Sequence, residues 1–170
     1  MRSLALVLAA LGAAACGYHV AGRSGTMPPA IHTIAVTPFQ NKTIRYQLAK
    51  NLPSDIAREF IERTRYKIVA DPNSADAVLT GAVVNFYSGA IVVDQSSGRA
   101  TVMQASAFLN ITLTERPSGK VLFSRQMFEA RERYEISVSP QSYFDESSAG
   151  MARLSKDVAR DVVTSILENF

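Results

Sequence analysis

The sequence predicts an α+β domain: a two-layer sandwich with two amphipathic helices on one face of a mixed sheet of about four strands, ordered β-α-β-β-β-β-α. Three observations predict it. Segments 44–64 and 151–170 repeat apolar residues at three- and four-residue steps, the period of a helix with one buried face. Residues 101–115 alternate apolar and polar side chains, the period of a half-buried strand. Polar, glycine-containing turns at 94–99 and 116–120 divide the middle of the chain into three long strands joined as hairpins.

Ahead of this domain, residues 2–11 are Arg2 followed by a nearly unbroken apolar run, closed by Leu11-Gly-Ala-Ala-Ala-Cys16-Gly-Tyr18. A positive start, a short apolar stretch and a small-residue cleavage site make a secretory signal peptide over 1–15. The run is about half the length that a transmembrane helix needs. Cys16, the only cysteine, stands where a bacterial lipoprotein signal places its acylated residue. On that reading it carries a diacylglycerol on sulfur and an acyl chain on the new amino group, and needs no cofactor beyond them. Ala13 sits where such signals usually have leucine; the other reading is an ordinary secretory peptide cut near Ala15, leaving a free thiol. Residues 16–30 form the acylated N-terminus and a flexible tether, with three glycines and two prolines after Cys16. Residues 31–170 form a single domain.

The domain opens with an apolar, β-branched strand over 31–39, stopped by Pro38. A turn at 41–44 leads into a helix whose apolar positions Ile44, Leu48, Leu52, Ile56, Phe60 and Ile61 share one face. Pro53 predicts a break within it, because an interior proline removes a hydrogen bond and costs about 3 kcal/mol. A short strand at 66–70 ends in Asp71-Pro-Asn-Ser74, strong turn chemistry, and returns parallel to the first strand. Residues 77–93 are apolar on both alternating sets, the pattern of a strand covered on both faces. In 101–115, Met103, Ala105, Ala107, Leu109, Ile111 and Leu113 face one way, with Phe108 among the polar set. Residues 121–136 start apolar and become charged, 137–150 are a polar loop or helix entry, and 151–170 are the closing helix.

Loss of residues 1–15 leaves 155 residues and removes Arg2, taking the formal net charge from +3 to +2. So small a charge does not suit a nucleic-acid partner. The two histidines, His19 and His32, stand without metal-ligand spacing, and neither a Gly-x-Ser-x-Gly elbow nor a phosphate loop occurs. The residues do not describe an enzyme. What they offer is surface: Phe86, Tyr87, Ile91, Val92 and Val93 towards one hairpin, and Arg125, Arg131 and Arg133 in one alternation class with Glu129 and Glu135. That strip reads either as a solvated face of mixed charge or as a cationic strip beside apolar surface, suited to an amphiphile with phosphates and acyl chains.

The order of phrases CGYHVAG, IHTIAVTPFQNKT, IAREFIERTRYKIV, ADAVLTGAVVNF, a long meander and VARDVVTSILENF resembles the LPS-assembly lipoprotein family LptE over residues 16–170. The resemblance implies an outer-membrane lipoprotein, lipid-anchored at the periplasmic face. Such proteins plug the LPS-transport β-barrel, help it assemble, and bind lipopolysaccharide during delivery to the outer leaflet. It gives no motif for the lipopolysaccharide contacts; the candidates are Arg99, then Lys120, then Arg131 and Arg133, with both hairpin ends entering the barrel and Cys16 anchoring the other end. The opening strand phrase is shared with other envelope lipoproteins and secretion components, so a stand-alone periplasmic lipoprotein that binds proteins by a sheet edge is the alternative.

Overall fold

The computed structural model describes residues 27–95, 98–136 and 140–170, with 140–146 as backbone only. The expected signal peptide, Cys16 and the tether up to residue 26 lie outside the described residues. The strands are β1 (Thr33–Val36), β2 (Gln40–Asn41), β3 (Lys67–Val69), β4 (Ala77–Val93), β5 (Ala100–Glu115) and β6 (Val121–Glu135). The helices are α1 (Tyr46–Arg63) and α2 (Pro140–Glu168), with a 3-10 turn at Pro72–Ser74.

The sheet has six strands rather than about four, in the order β3-β1-β4-β5-β6, with β2 also paired to β4. β1 is parallel to both β3 and β4, while β4, β5 and β6 form an antiparallel meander. Beyond the five strands in the predicted order, the extra one is β2, two polar residues beyond Pro38 and too short for any alternation to show. It lies beside Ala82 and Val83.

One face of this sheet carries the core. Ile34, Ala77, Leu79, Val83, Ala105, Ala107, Leu109, Ile111, Leu113, Phe128 and Tyr134 meet Leu48, Leu52, Ile56 and Phe60 of α1 and Leu154, Val158, Val162, Val163 and Ile166 of α2. Each valine, leucine, isoleucine or phenylalanine among them contributes about 1.5–3 kcal/mol on burial. The helices also meet directly: Ser155 Oγ donates to Asp55 Oδ2 at 2.5 Å, and Arg63 Nη1 to Thr164 Oγ1 at 2.7 Å.

Several expectations need correction. Met27, assigned to the tether, is one of the largest fully buried side chains, and its N–H donates to Tyr66 Oη. Ile44 and Ile61 are exposed; α1 starts at Tyr46, so Ile44 precedes the face it was assigned to, and Ile61 is turned off the face of its neighbour Phe60. Helix α1 runs through Pro53 unbroken, and Ser54 Oγ donates to the Asn51 carbonyl at 2.7 Å beside the proline. β4 is not covered on both faces: Ala77, Leu79 and Val83 are buried, whereas Tyr87, Ile91, Val92 and Val93 are exposed. Of the two readings of 137–150, the helix entry holds from Pro140: α2 begins there, three turns before the apolar stripe, and proline suits the first helical position.

Two close fits hold the parallel half together. Asp76 Oδ2 accepts from the N–H groups of His32 and Thr33 and from Thr33 Oγ1, at 2.8–2.9 Å. Donation from the His32 amide, then from Thr33, holds the Asp76 carboxyl below its ordinary value. The ring of Phe39 lies against Gly81, where an added Cβ would come within 2.3 Å of it.

Asp76→Asn is expected to lower the melting temperature at neutral pH. Because the folded-state pKa is depressed, the deficit is present above about pH 4 and fades on acidification through the folded value; thermal melts across pH check it. Gly81→Ala is expected to cost about 1–3 kcal/mol in denaturant unfolding through overpacking against Phe39.

Candidate functional site

Each strand of the meander turns alternate side chains away from the helices, and this leaves an open face. On it, residues of three strands line up: Tyr87 opposite Ser106 opposite Arg131, Asn85 opposite Phe108 opposite Glu129, and Gly89 opposite Gln104 opposite Arg133. Tyr87 and Phe108 make a tilted ring contact at 5.9 Å. Beneath them, Ser106 Oγ is buried and makes no hydrogen bond among the described residues.

Arg131 grips Glu129 with two bonds, Nε to Oε1 at 2.7 Å and Nη2 to Oε2 at 2.9 Å. The Arg131 guanidinium holds the Glu129 carboxyl below its ordinary value, and the Glu129 carboxylate raises Arg131 in turn. The charge of Arg131 is thus largely answered on its own strand. Among the described residues Arg133 makes one long contact, Nε to Gln104 Oε1 at 3.4 Å, and it is exposed.

Arg125 does not belong with these two arginines, contrary to the alternation read from the sequence. Between Leu109 opposite Phe128 and Ile111 opposite Arg125, β6 has one residue more than β5. Met127 takes φ 54°, left-handed for a residue with a side chain, and its N–H donates to Asn110 Oδ1 at 2.9 Å. The bulge reverses the facing of the strand. Arg125 therefore turns to the helix layer, where it stacks on Phe128 at 4.8 Å and donates to Ser165 Oγ of α2 at 3.0 Å.

The two hairpin turns, expected to act together, lie at opposite ends of β5. Sixteen residues at about 3.3 Å each separate them by roughly 50 Å. Arg99 closes the β4–β5 hairpin, where the Asp94 N–H donates to its carbonyl at 2.9 Å and Gly98 takes φ 66°. Lys120 closes the β5–β6 turn, its carbonyl accepting from the Glu115 N–H at 2.8 Å and its N–H donating to Ser118 Oγ. That turn is tied to the start of β4 by the Arg116 N–H on the Asp76 carbonyl. Met27 is at the same end, beside the start of β3, so the chain enters the fold at the Lys120 end of the sheet and away from Arg99. Arg131 and Arg133 lie on the Arg99 half of the meander. Cys16 lies outside the described residues.

The sequence reading passed over an open groove of about 460 Å³ between α1 and the β1–β2 connection, lined by Val36, Phe39, Tyr46, Ala49, Lys50 and Pro53 among others. Its walls all come from residues 36–54, and the groove exists only because α1 folds back beside the β1–β2 connection, a tertiary arrangement that no periodicity marks. Among the described residues, no group of histidine, cysteine and carboxylate side chains is placed to hold a metal ion. No helix among them is long and apolar enough to cross a membrane.

No curated protein matches the chain by sequence. Among solved structures, rare lipoprotein B from Shewanella oneidensis is 13% identical, covering 79% of this chain and 92% of its own, with a TM-score of 0.53. Lipoprotein B from Nitrosomonas europaea is 18% identical, covering 89% and 88%, also at 0.53. The PelC dodecamer from Paraburkholderia phytofirmans is 16% identical, covering 85% and 94%, at 0.52. At such identities these likenesses establish a shared fold. Residues 31–168 match the model of one family, described as lipopolysaccharide-assembly. That span takes in both helices and the whole sheet up to Glu168, and the chain therefore belongs to the LptE lipopolysaccharide-assembly family.

Proposed function

We propose that the chain is a lipoprotein of the outer membrane, acylated at Cys16 and held at the periplasmic face, that plugs and helps assemble the LPS-transport β-barrel and binds lipopolysaccharide during delivery. It does so as a non-catalytic body. The family match across the whole domain carries this reading. The geometry adds a direction to it. Ten residues lie between Cys16 and Met27, a reach of at most about 40 Å. The lipid anchor therefore belongs to the Lys120 end, and the Arg99 hairpin is the end that points away.

This arrangement divides the four basic candidates. Arg99 and Arg133 occupy the far half, where a guanidinium can grip a phosphate with paired hydrogen bonds. Arg131, committed to Glu129, serves the face rather than a ligand. Lys120, at the near end, meets the membrane-facing side instead of the lipopolysaccharide path.

Reversing Arg99 and Arg133 together to glutamate is expected to weaken lipopolysaccharide capture by about tenfold or more, the loss of one or two charge-assisted contacts. Lys120→Glu leaves capture unchanged. Pull-down with immobilised lipopolysaccharide, alongside circular dichroism to confirm folding, checks both; unchanged capture by the double variant removes the two arginines. Cys16→Ala in cells depleted of the barrel is expected to leave the membrane fraction, since acyl chains contribute about 0.8 kcal/mol per buried methylene. A wild-type chain recovered from detergent extracts with no barrel attached overturns the plug reading itself.

A further inference from the structure

The free edge of β4 changes character at Val83. Up to that residue the chain covers it: β1 pairs with 77–79, β2 pairs with 82–83, and the Lys42 N–H donates to the Val83 carbonyl at 2.9 Å. From 84 to 93, no described residue pairs with this edge. The ten residues there, VNFYSGAIVV, contain neither a charge nor a proline. Register irregularities occur at Val84 and Ile91, and between them Asn85–Ala90 stay in one-to-one register with β5. Six consecutive residues thus present a regular, uncharged edge.

The other two edges of the sheet are defended. β6 carries Arg131, Glu132, Arg133 and Glu135 and the Met127 bulge. β3 is three residues long and begins with an exposed lysine. Charges, bulges and shortness keep edge strands from pairing with other chains. Among the described residues, only the middle of the β4 edge lacks all three.

We propose that Asn85–Ala90 is a docking edge that receives an extended, uncharged segment of the barrel partner by strand addition. This rests on the plug reading above. Size favours a partner already held elsewhere over a second copy of this chain: six residues a side fall far short of the roughly 20–30 that a stable interface uses. The main chain supplies the bonds, and neighbouring side chains select the segment. Phe86 is covered by Arg45 at 5.8 Å, while Tyr87 stacks on Phe108. At Gly89 an added Cβ would meet nothing within 4 Å, so a large apolar or aromatic side chain of the incoming strand fits there.

Hydrogen exchange on the full lipoprotein, alone and in its purified complex with the barrel, tests the edge. Amides within 85–90 are expected to exchange about tenfold more slowly in the complex. Gly89→Lys, which places a charge on the edge without a clash, removes this added protection while the barrel still co-purifies. Equal exchange in the two states of the wild type overturns the docking edge and leaves the plug reading standing. Protection already present in the isolated chain, or growing with its concentration, gives the edge to the chain's own N-terminal segment or to a second copy, and overturns the proposal equally. A barrel that never co-purifies overturns the plug reading and this one with it.

Discussion

A strand advances more than twice as far per residue as a helix, and the layout of this domain depends on that mismatch. β4, β5 and β6 have 17, 16 and 15 residues. At about 3.3 Å each they reach roughly 50 Å, whereas the 18 residues of α1 reach only about 27 Å. α1 therefore covers β1, β3 and the first part of β4, and has nothing left for the rest. α2, with 29 residues, extends further and lies along β6. The result is a core that follows β5 as far as Ala105, while β4 passes from fully buried at Leu79 to half exposed at Val93.

The parallel half needs separate fastening, because β1 has only four residues. The Asp76 carboxylate supplies it by collecting three donors from the residues that open β1, and Phe39 fills the space that Gly81 leaves. Once β1 is fixed, α1 is fixed with it, and the helix-facing side of the meander acquires its first apolar partner. The open side is held differently. There Glu129 and Arg131 satisfy one another, Tyr87 leans on Phe108, and no second layer among the described residues lies over them.

Much of this was legible in the chain. The steps from Leu48 to Phe60 and from Leu154 to Ile166 mark two helices, and the alternation from Met103 to Leu113 marks the buried side of β5. What stayed hidden is tertiary in origin. β2 has no pattern of its own and exists because Val83 offers it an edge. Pro53 sits inside an unbroken helix because packing outweighs its local cost. A plain count of alternation carries Arg125 to the wrong side, since the extra residue near Met127 cannot be seen in composition. The apolar content of 84–93 was visible, but the sequence reads as a covered strand where the fold leaves it bare. The candidate cations were visible too; their separation into two ends followed only from the pairing of strands.

The distance between the two turns has a meaning of its own. A bilayer's hydrocarbon core is about 30 Å thick. A stiff, hydrogen-bonded ribbon of roughly 50 Å, standing upright with its Lys120 end at the inner surface, outmeasures that layer. Arg99 would then stand at the depth of the opposite headgroups, and the number of residues in β5 would set how far it rises. Shortening the ribbon by two residues on each strand would preserve the facing of every side chain and lower that cation by about 7 Å. On the proposed anchoring through Cys16, strand length would act as a ruler for membrane thickness as much as a source of stability.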